Sequence, residues 1–270
     1  MELEQRSQGW FDARKGKMTA STLAACLGQV PYTSRPAAYR RVVGSDTFSG
    51  NRACQWGVDN EVNGINAYEL LTGTKVSVTG LHAHPTIPWI AGSPDGLVGE
   101  EGIVEVKCPF YTGLHREVPV HYYFQMNALL EILDRKWCDY VCWNPDGVVI
   151  YRVNRDTPFF NYCYDFYLHF YNAVERRDDK PPPLSKEDKM AIKARAVQSM
   201  QESVDYTHYK SDASLFDEDE ILPPIKRQRT LPVPNSFDDW EPPSSQMAGG
   251  LHFAEASRAM YDNLFTVCDA

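Results

Sequence analysis

The tightest constraint on this chain is Ser93-Pro94-Asp95-Gly96, followed by Glu105-Val106-Lys107-Cys108-Pro109. Pro94 and Gly96 mark a turn. In a β-strand, residues i and i+2 point to the same face, so Glu105 and Lys107 project side by side. Val104, Val106 and Cys108 alternate with them, which makes one face apolar and the other charged. If the nine residues between Asp95 and Glu105 form a hairpin, Asp95 lands beside Glu105. Two carboxylates and an ammonium then surround one point. Such acids hold a hard divalent cation. One or two Mg²⁺ ions on Asp95 and Glu105 would neutralise a phosphodiester oxygen and lower the pKa of a water. The Val106 carbonyl is a further oxygen ligand in this reading. Lys107 would orient or deprotonate the water, or stabilise charge in the transition state.

The partner of such a site is not advertised by charge. The formal net charge is -9. The excess lies towards the C-terminus: residues 181–270 hold nine Lys/Arg against fifteen Asp/Glu, whereas residues 1–180 hold eighteen against twenty-one. A local DNA-binding face is compatible with that distribution. Seven cysteines form no Cys-x-x-Cys pair and read as reduced, buried thiols. The N-terminus is charged and lacks a secretory apolar core, and no apolar run approaches the ~20 residues that span a bilayer. The expectation is an intracellular protein.

Hydrophobic spacing predicts helices over residues 8–15, 22–27, 36–43, 51–72 and 119–133. Trp10 and Arg14 share a face at i, i+4 spacing, and Thr19-Ala20-Ser21 reads as a helix cap. Strands are expected at 75–79, 89–92 and 102–108. A hairpin at 138–153 turns on Asn144-Pro145-Asp146-Gly147, and an aromatic helix runs from Thr157 to about residue 177. The order predicts an α/β fold, a mixed central β-sheet flanked by helices. Pro181-Pro182-Pro183 sets a boundary between a domain at 1–180 and an acidic extension at 181–270. In the extension we expect a helix at 185–204, then a largely irregular tail with a short helix near 253–265. His82 and His84 are not expected to ligate metal.

These motifs resemble the lambda-exonuclease / YqaJ-like viral recombinase family of the PD-(D/E)XK nuclease superfamily. Besides Ser-Pro-Asp-Gly and Glu-Val-Lys-Cys-Pro, the opening Arg6-Ser7-x-x-Trp10-x-x-x-Arg14 with Thr19-Ala20-Ser21 is similar to that group. So are Glu61 in Trp56-Gly57-x-x-x-Glu61 and Gln125 in Tyr-Tyr-Phe-Gln-Met-Asn. The resemblance spans about residues 6–175 and implies a restriction-endonuclease-like core. It implies an enzyme that degrades double-stranded DNA 5′→3′ from its ends in viral or phage-type recombination. Asp95 and Glu105 would be metal ligands, with Mg²⁺ the ion and Mn²⁺ a substitute. Glu61 would support a second metal, and Lys107 and Gln125 would act on the attacking water. Arg14, Ser21 and Ser93, with Trp10 beside Arg14, would bind the terminal 5′-phosphate. A guanidinium with two hydroxyls suits a phosphate monoester.

The resemblance extends to partners: a ring-shaped homo-oligomer (a trimer in related enzymes) and a single-strand annealing protein. A viral protein of this kind would work in the host cytoplasm or nucleus, and Lys226-Arg227-Gln228-Arg229 is a weak import signal. Alternatives remain within the superfamily, an endonuclease or a RecB-like single-strand exonuclease. A non-catalytic recruiting module would carry a broken metal set, and this set is intact.

Overall fold

The structure, a computed structural model, describes residues 5, 7–46 and 50–212, with side chains as far as residue 206. Arg6, the basic stretch at 226–229 and the expected helix at 253–265 lie outside the described residues.

The helices begin and end where local chemistry dictates. Ser7 caps α1 (Gln8–Arg14) by accepting from the Trp10 amide. Ser34 caps α3 (Arg35–Val43), and Asn51 caps α4 (Arg52–Thr72), which stops at Gly73 in the left-handed region. Between α1 and α3 lie the two-residue β1 (Met18–Thr19) and α2 (Ala20–Cys26). Its cap residue is Thr19, so Ser21 sits inside the first turn rather than at the cap.

Two sheets follow. The small one has the order β1-β3-β2, with β2 (His82–Ala83) antiparallel and β1 parallel to β3 (Ile90–Gly92). The expected strand at 75–79 is reduced to one bridge, Ser77 to Leu97. The main sheet has the order β4-β5-β6-β7-β8. Its strands are β4 (Gly96–Val98), β5 (Gly102–Lys107), β6 (Trp137–Asn144), β7 (Gly147–Asn154) and β8 (Val204–Asp212). Only β5 and β6 run parallel, linked across α5 (Val120–Leu133). The mixed sheet flanked by helices is the expected α/β fold.

After β7 come α6 (Thr157–Arg176) and α7 (Lys186–Ser203). The expected boundary at 180 falls between them. Ile192, Ala196 and Met200 of α7 lie in the main core. The stretch after residue 204, expected to be irregular, instead supplies β8. Backbone pairing with β7 orders it.

Alternation along β5 separates two cores. Val104 and Val106 face a cluster with Val141, Trp143 and Ile150 beneath α4. Ile103 faces the larger cluster with Leu129 of α5 and Leu23 of α2. Glu105 and Lys107 share Ile103's face, so they point towards α5 and not into bulk water. Paired on both sides, β5 is an interior strand.

Gly64 decides how α4 meets the sheet. A Cβ there would stand 2.4 Å from Val106 Cγ1 and 3.5 Å from Trp143 Cβ. Only hydrogen lets the helix lie that close, which in turn brings Glu61, one turn earlier, over the end of β5. Gly64→Ala is expected to cost about 1–3 kcal/mol through overpacking. At this size that lowers the melting temperature by about 2–4 °C for each kcal/mol. An unchanged melting curve would show that α4 does not approach so closely. Farther along, the buried Asp139 accepts from Tyr68 Oη at 2.8 Å and from Arg152 Nε and Nη2, each at 2.8 Å. That ties α4 to β6 and β7. Among the described residues, no helix is long and apolar enough to cross a membrane.

Candidate active site

The end of β5 forms the floor of a cleft of about 830 Å³, its open mouth included. The hairpin carries Asp95 to Glu105 as its sequence spacing requires. Gly96 pairs with Val104, and the Val106 amide donates to Asp95 Oδ2 at 2.6 Å. Glu105 is almost wholly buried. Its Oε1 accepts from Lys107 Nζ at 2.9 Å and from Gln125 Nε2 at 2.5 Å. Gln125 comes down from α5, and Glu61 arrives from α4 on the opposite side. The Lys107 ammonium also lies 4.9 Å from the centre of the Tyr122 ring.

Carboxylates this close in a dry floor resist joint ionisation. Burial pushes the Asp95 carboxyl well above its ordinary pKa, and the charges of Glu105 and Glu61 push the same way. Lys107 and the Val106 amide oppose them. A bound divalent cation would relieve that repulsion. The oxygen donors fit a hard ion: the Asp95 and Glu105 carboxylates, with the Val106 carbonyl beside them. Among the described residues, no three His, Cys, Asp or Glu side chains stand together as a ready-made metal cage. Glu61 therefore lines the cleft without completing one.

A second group of side chains forms the other wall. The Arg14 guanidinium lies 4.0 Å from the centre of the Trp10 ring, and its Nη2 donates to Thr19 Oγ1 at 3.4 Å. Thr19 Oγ1 is 3.3 Å from Ser21 Oγ. Trp10 Nε1 donates to Ser93 Oγ at 2.9 Å, which fixes the hydroxyl two residues before Asp95. Burial lowers the Arg14 pKa to about 10, which still leaves it charged near neutrality. No carboxylate among the described residues forms an ion pair with it. A desolvated cation of this kind is stabilised by an anion from outside.

All ten residues singled out in the sequence line this one cleft: Trp10, Arg14, Ser21, Glu61, Ser93, Asp95, Glu105, Val106, Lys107 and Gln125. His82 bonds Thr79 Oγ1 at 2.6 Å, and His84 Nδ1 accepts turn amides. Sequence reasoning missed Gln5 and Tyr122. Gln5 Nε2 donates to Pro94 O at 2.8 Å and to Thr79 O at 3.1 Å, holding the turn before Asp95. Nothing local marks it. Tyr122 was detectable, because it stands three residues before Gln125, within one helical turn.

An acid just before β4, an acid and a lysine on one face of β5, and helices over both sheet faces match the arrangement expected of a PD-(D/E)XK core. Residues 9–136 match the YqaJ-like viral recombinase domain. Among solved structures it is similar to an alkaline exonuclease from Laribacter hongkongensis. That likeness has 28% identity and a TM-score of 0.55, and it covers 71% of this chain and 99% of the other. A second structure of that exonuclease, in complex with dAMP, matches equally, with the same identity, coverage and TM-score. An uncharacterised protein of Acanthamoeba polyphaga mimivirus is 24% identical over 159 residues, 52% of this chain. The match spans 29% of that relative's length.

Proposed function

We propose that the chain is a divalent-metal-dependent exodeoxyribonuclease that hydrolyses double-stranded DNA from 5′ ends in viral or phage-type recombination. One observation carries the reading: the acid–acid–lysine floor shares its cleft with the Arg14 guanidinium, which no described carboxylate neutralises. The likeness to an alkaline exonuclease, one structure of which holds a mononucleotide, supports it.

Asp95 and Glu105 would hold the ion, with the Val106 carbonyl and Glu61 beside them. Mg²⁺, or Mn²⁺ in its place, supplies Lewis-acid chemistry when bound, acidifying water and neutralising phosphate charge. Gln125 and Lys107 both donate to Glu105 Oε1, which fixes that carboxylate. The ammonium at Nζ sits where a proton of the attacking water can be held or moved. Water adds to phosphorus and the bond to the 3′-oxygen breaks, so the released hydroxyl takes a proton. The phosphate stays on the next nucleotide, giving a new 5′-phosphate end. Arg14, with Ser21 and Ser93, receives the terminal phosphate. A monoester carries more charge than an internal diester, which favours ends.

With Mg²⁺, linear duplex bearing 5′-phosphate is expected to be digested while closed circular duplex persists. Cleavage of the circle would favour an endonuclease. Arg14→Ala is expected to lose the preference for 5′-phosphate over 5′-hydroxyl ends, by about tenfold or more for one charge-assisted contact. Competition between the two ends in one reaction measures it. Equal preference in both proteins removes Arg14 from the phosphate pocket.

A further inference from the structure

The Lys107 ammonium touches both a carboxylate and an aromatic ring. Nζ donates to Glu105 Oε1 at 2.9 Å and lies over the Tyr122 ring, 4.9 Å from its centre. A lysine is a point charge on a flexible four-carbon stem, so a single hydrogen bond would let it pivot. That bond is also shared, because Gln125 Nε2 donates to the same oxygen at 2.5 Å. The ring supplies a second hold, from α5 rather than β5. The contact lies within the ~6 Å at which the negative face of a ring attracts a cation, and the attraction grows with desolvation. Here it is largely desolvated: the Lys107 side chain is 12% exposed and Tyr122 3%.

Tyr122 is not among the residues that line the cleft, but it touches Lys107, which is. Packing fixes the plane of its ring. The ring centre stands 4.2 Å from that of His121, 5.7 Å from that of Tyr140 and 6.1 Å from that of His115. Those neighbours come from α5, from β6 and from the loop between β5 and α5. Tyr140 is fixed in turn, its hydroxyl 2.5 Å from His115 Nδ1. Two of the three neighbours are histidines, which as cations would compete with Lys107 for the ring. Burial, with the charge of Lys107 adding to it, holds the pKa of His115 and of His121 down to about 4. Near neutrality both are uncharged, so neither competes.

We propose that Tyr122 is a positioning residue, whose ring face holds the Lys107 ammonium where it serves the attacking water. This rests on the nuclease reading above and deepens it. The test replaces Tyr122 by Phe, then by mono-, di- and trifluorinated phenylalanine. Fluorine draws electron density from the ring and weakens its negative face while changing its volume little. Tyr122→Phe keeps the ring and is expected to retain the single-turnover rate on linear duplex DNA to within about threefold. Each added fluorine is expected to slow that rate, by about tenfold over the series, with the affinity for DNA unchanged. A second readout needs no activity. The series is expected to lower the melting temperature more with Lys107 present than in Lys107→Gln protein, which has no ammonium. A single-turnover rate that is flat across the series would overturn the proposal. So would equal melting responses in the two backgrounds. A Tyr122→Phe variant already as slow as the trifluorinated one would assign the effect to the hydroxyl and overturn it too. Failure of the wild-type chain to digest DNA with Mg²⁺ would instead overturn the nuclease reading, while the melting comparison still decides whether the ring holds the ammonium.

Discussion

Replacing Lys107 by alanine is expected to slow digestion of 5′-phosphorylated linear duplex DNA by about 10²–10⁴-fold, the range for losing a positioned proton donor or acceptor. Release of acid-soluble nucleotide measures it. Lys107 is a partner of the nearly buried Glu105, so alanine also leaves a carboxylate with less compensation. Lys107→Gln separates the two effects. Its amide can still donate to Glu105 but carries no titratable ammonium. If the ammonium itself is required, the glutamine variant stays folded by circular dichroism and is as slow as the alanine variant. Undiminished digestion by either protein would sink the proposed chemistry.

A chain ending at Lys180 is expected to lose its fold, whereas one ending at Asp212 is expected to keep both fold and digestion. The shorter chain lacks Ile192 and Ala196, each 0% exposed, and the buried Met200. Fully burying a side chain such as Ile or Met contributes about 1.5–3 kcal/mol, against a total stability of about 5–15 kcal/mol. The truncation also strips β8 from β7, exposing a new sheet edge that invites aggregation. Arg35 Nη1 loses its acceptor at Pro182 O, and Gln29 Nε2 loses Lys189 O. Size-exclusion chromatography and thermal melting of the two truncated proteins decide the matter. A monomeric, cooperatively melting chain at 180 would place the domain boundary at the triple proline, as composition suggests.

The difference between those boundaries shows where the sequence speaks and where it does not. The charged face of β5 is written in a period of two, and the hairpin arithmetic from Asp95 to Glu105 follows from it. Helix α4 is written in its cap, its apolar spacing and its terminal glycine. These signals are local. By contrast, β8 begins among Asp205, Tyr206 and Thr207, which read as polar tail until β7 offers them a ladder. The small sheet joins Met18 to Ile90 through strands of two and three residues, too short for any periodicity. Yet that pairing sets the Arg14 side of the cleft near Ser93. Gln5 acts through carbonyls at Thr79 and Pro94, distant in sequence, and so carries no signature.

Among the described residues six cysteines, Cys26, Cys54, Cys108, Cys138, Cys142 and Cys163, are buried as free thiols. Burial raises the pKa of Cys26, Cys108, Cys138, Cys142 and Cys163, which starves them of reactive thiolate. The six lie in α2, α4, α6, just after β5 and, for Cys138 and Cys142, in β6, so together they sample five parts of the molecule. Modification by a thiol reagent must wait for the surrounding element to open. The chain thus carries its own set of opening sensors, and the order in which the thiols are labelled would map which elements loosen first as the protein is warmed.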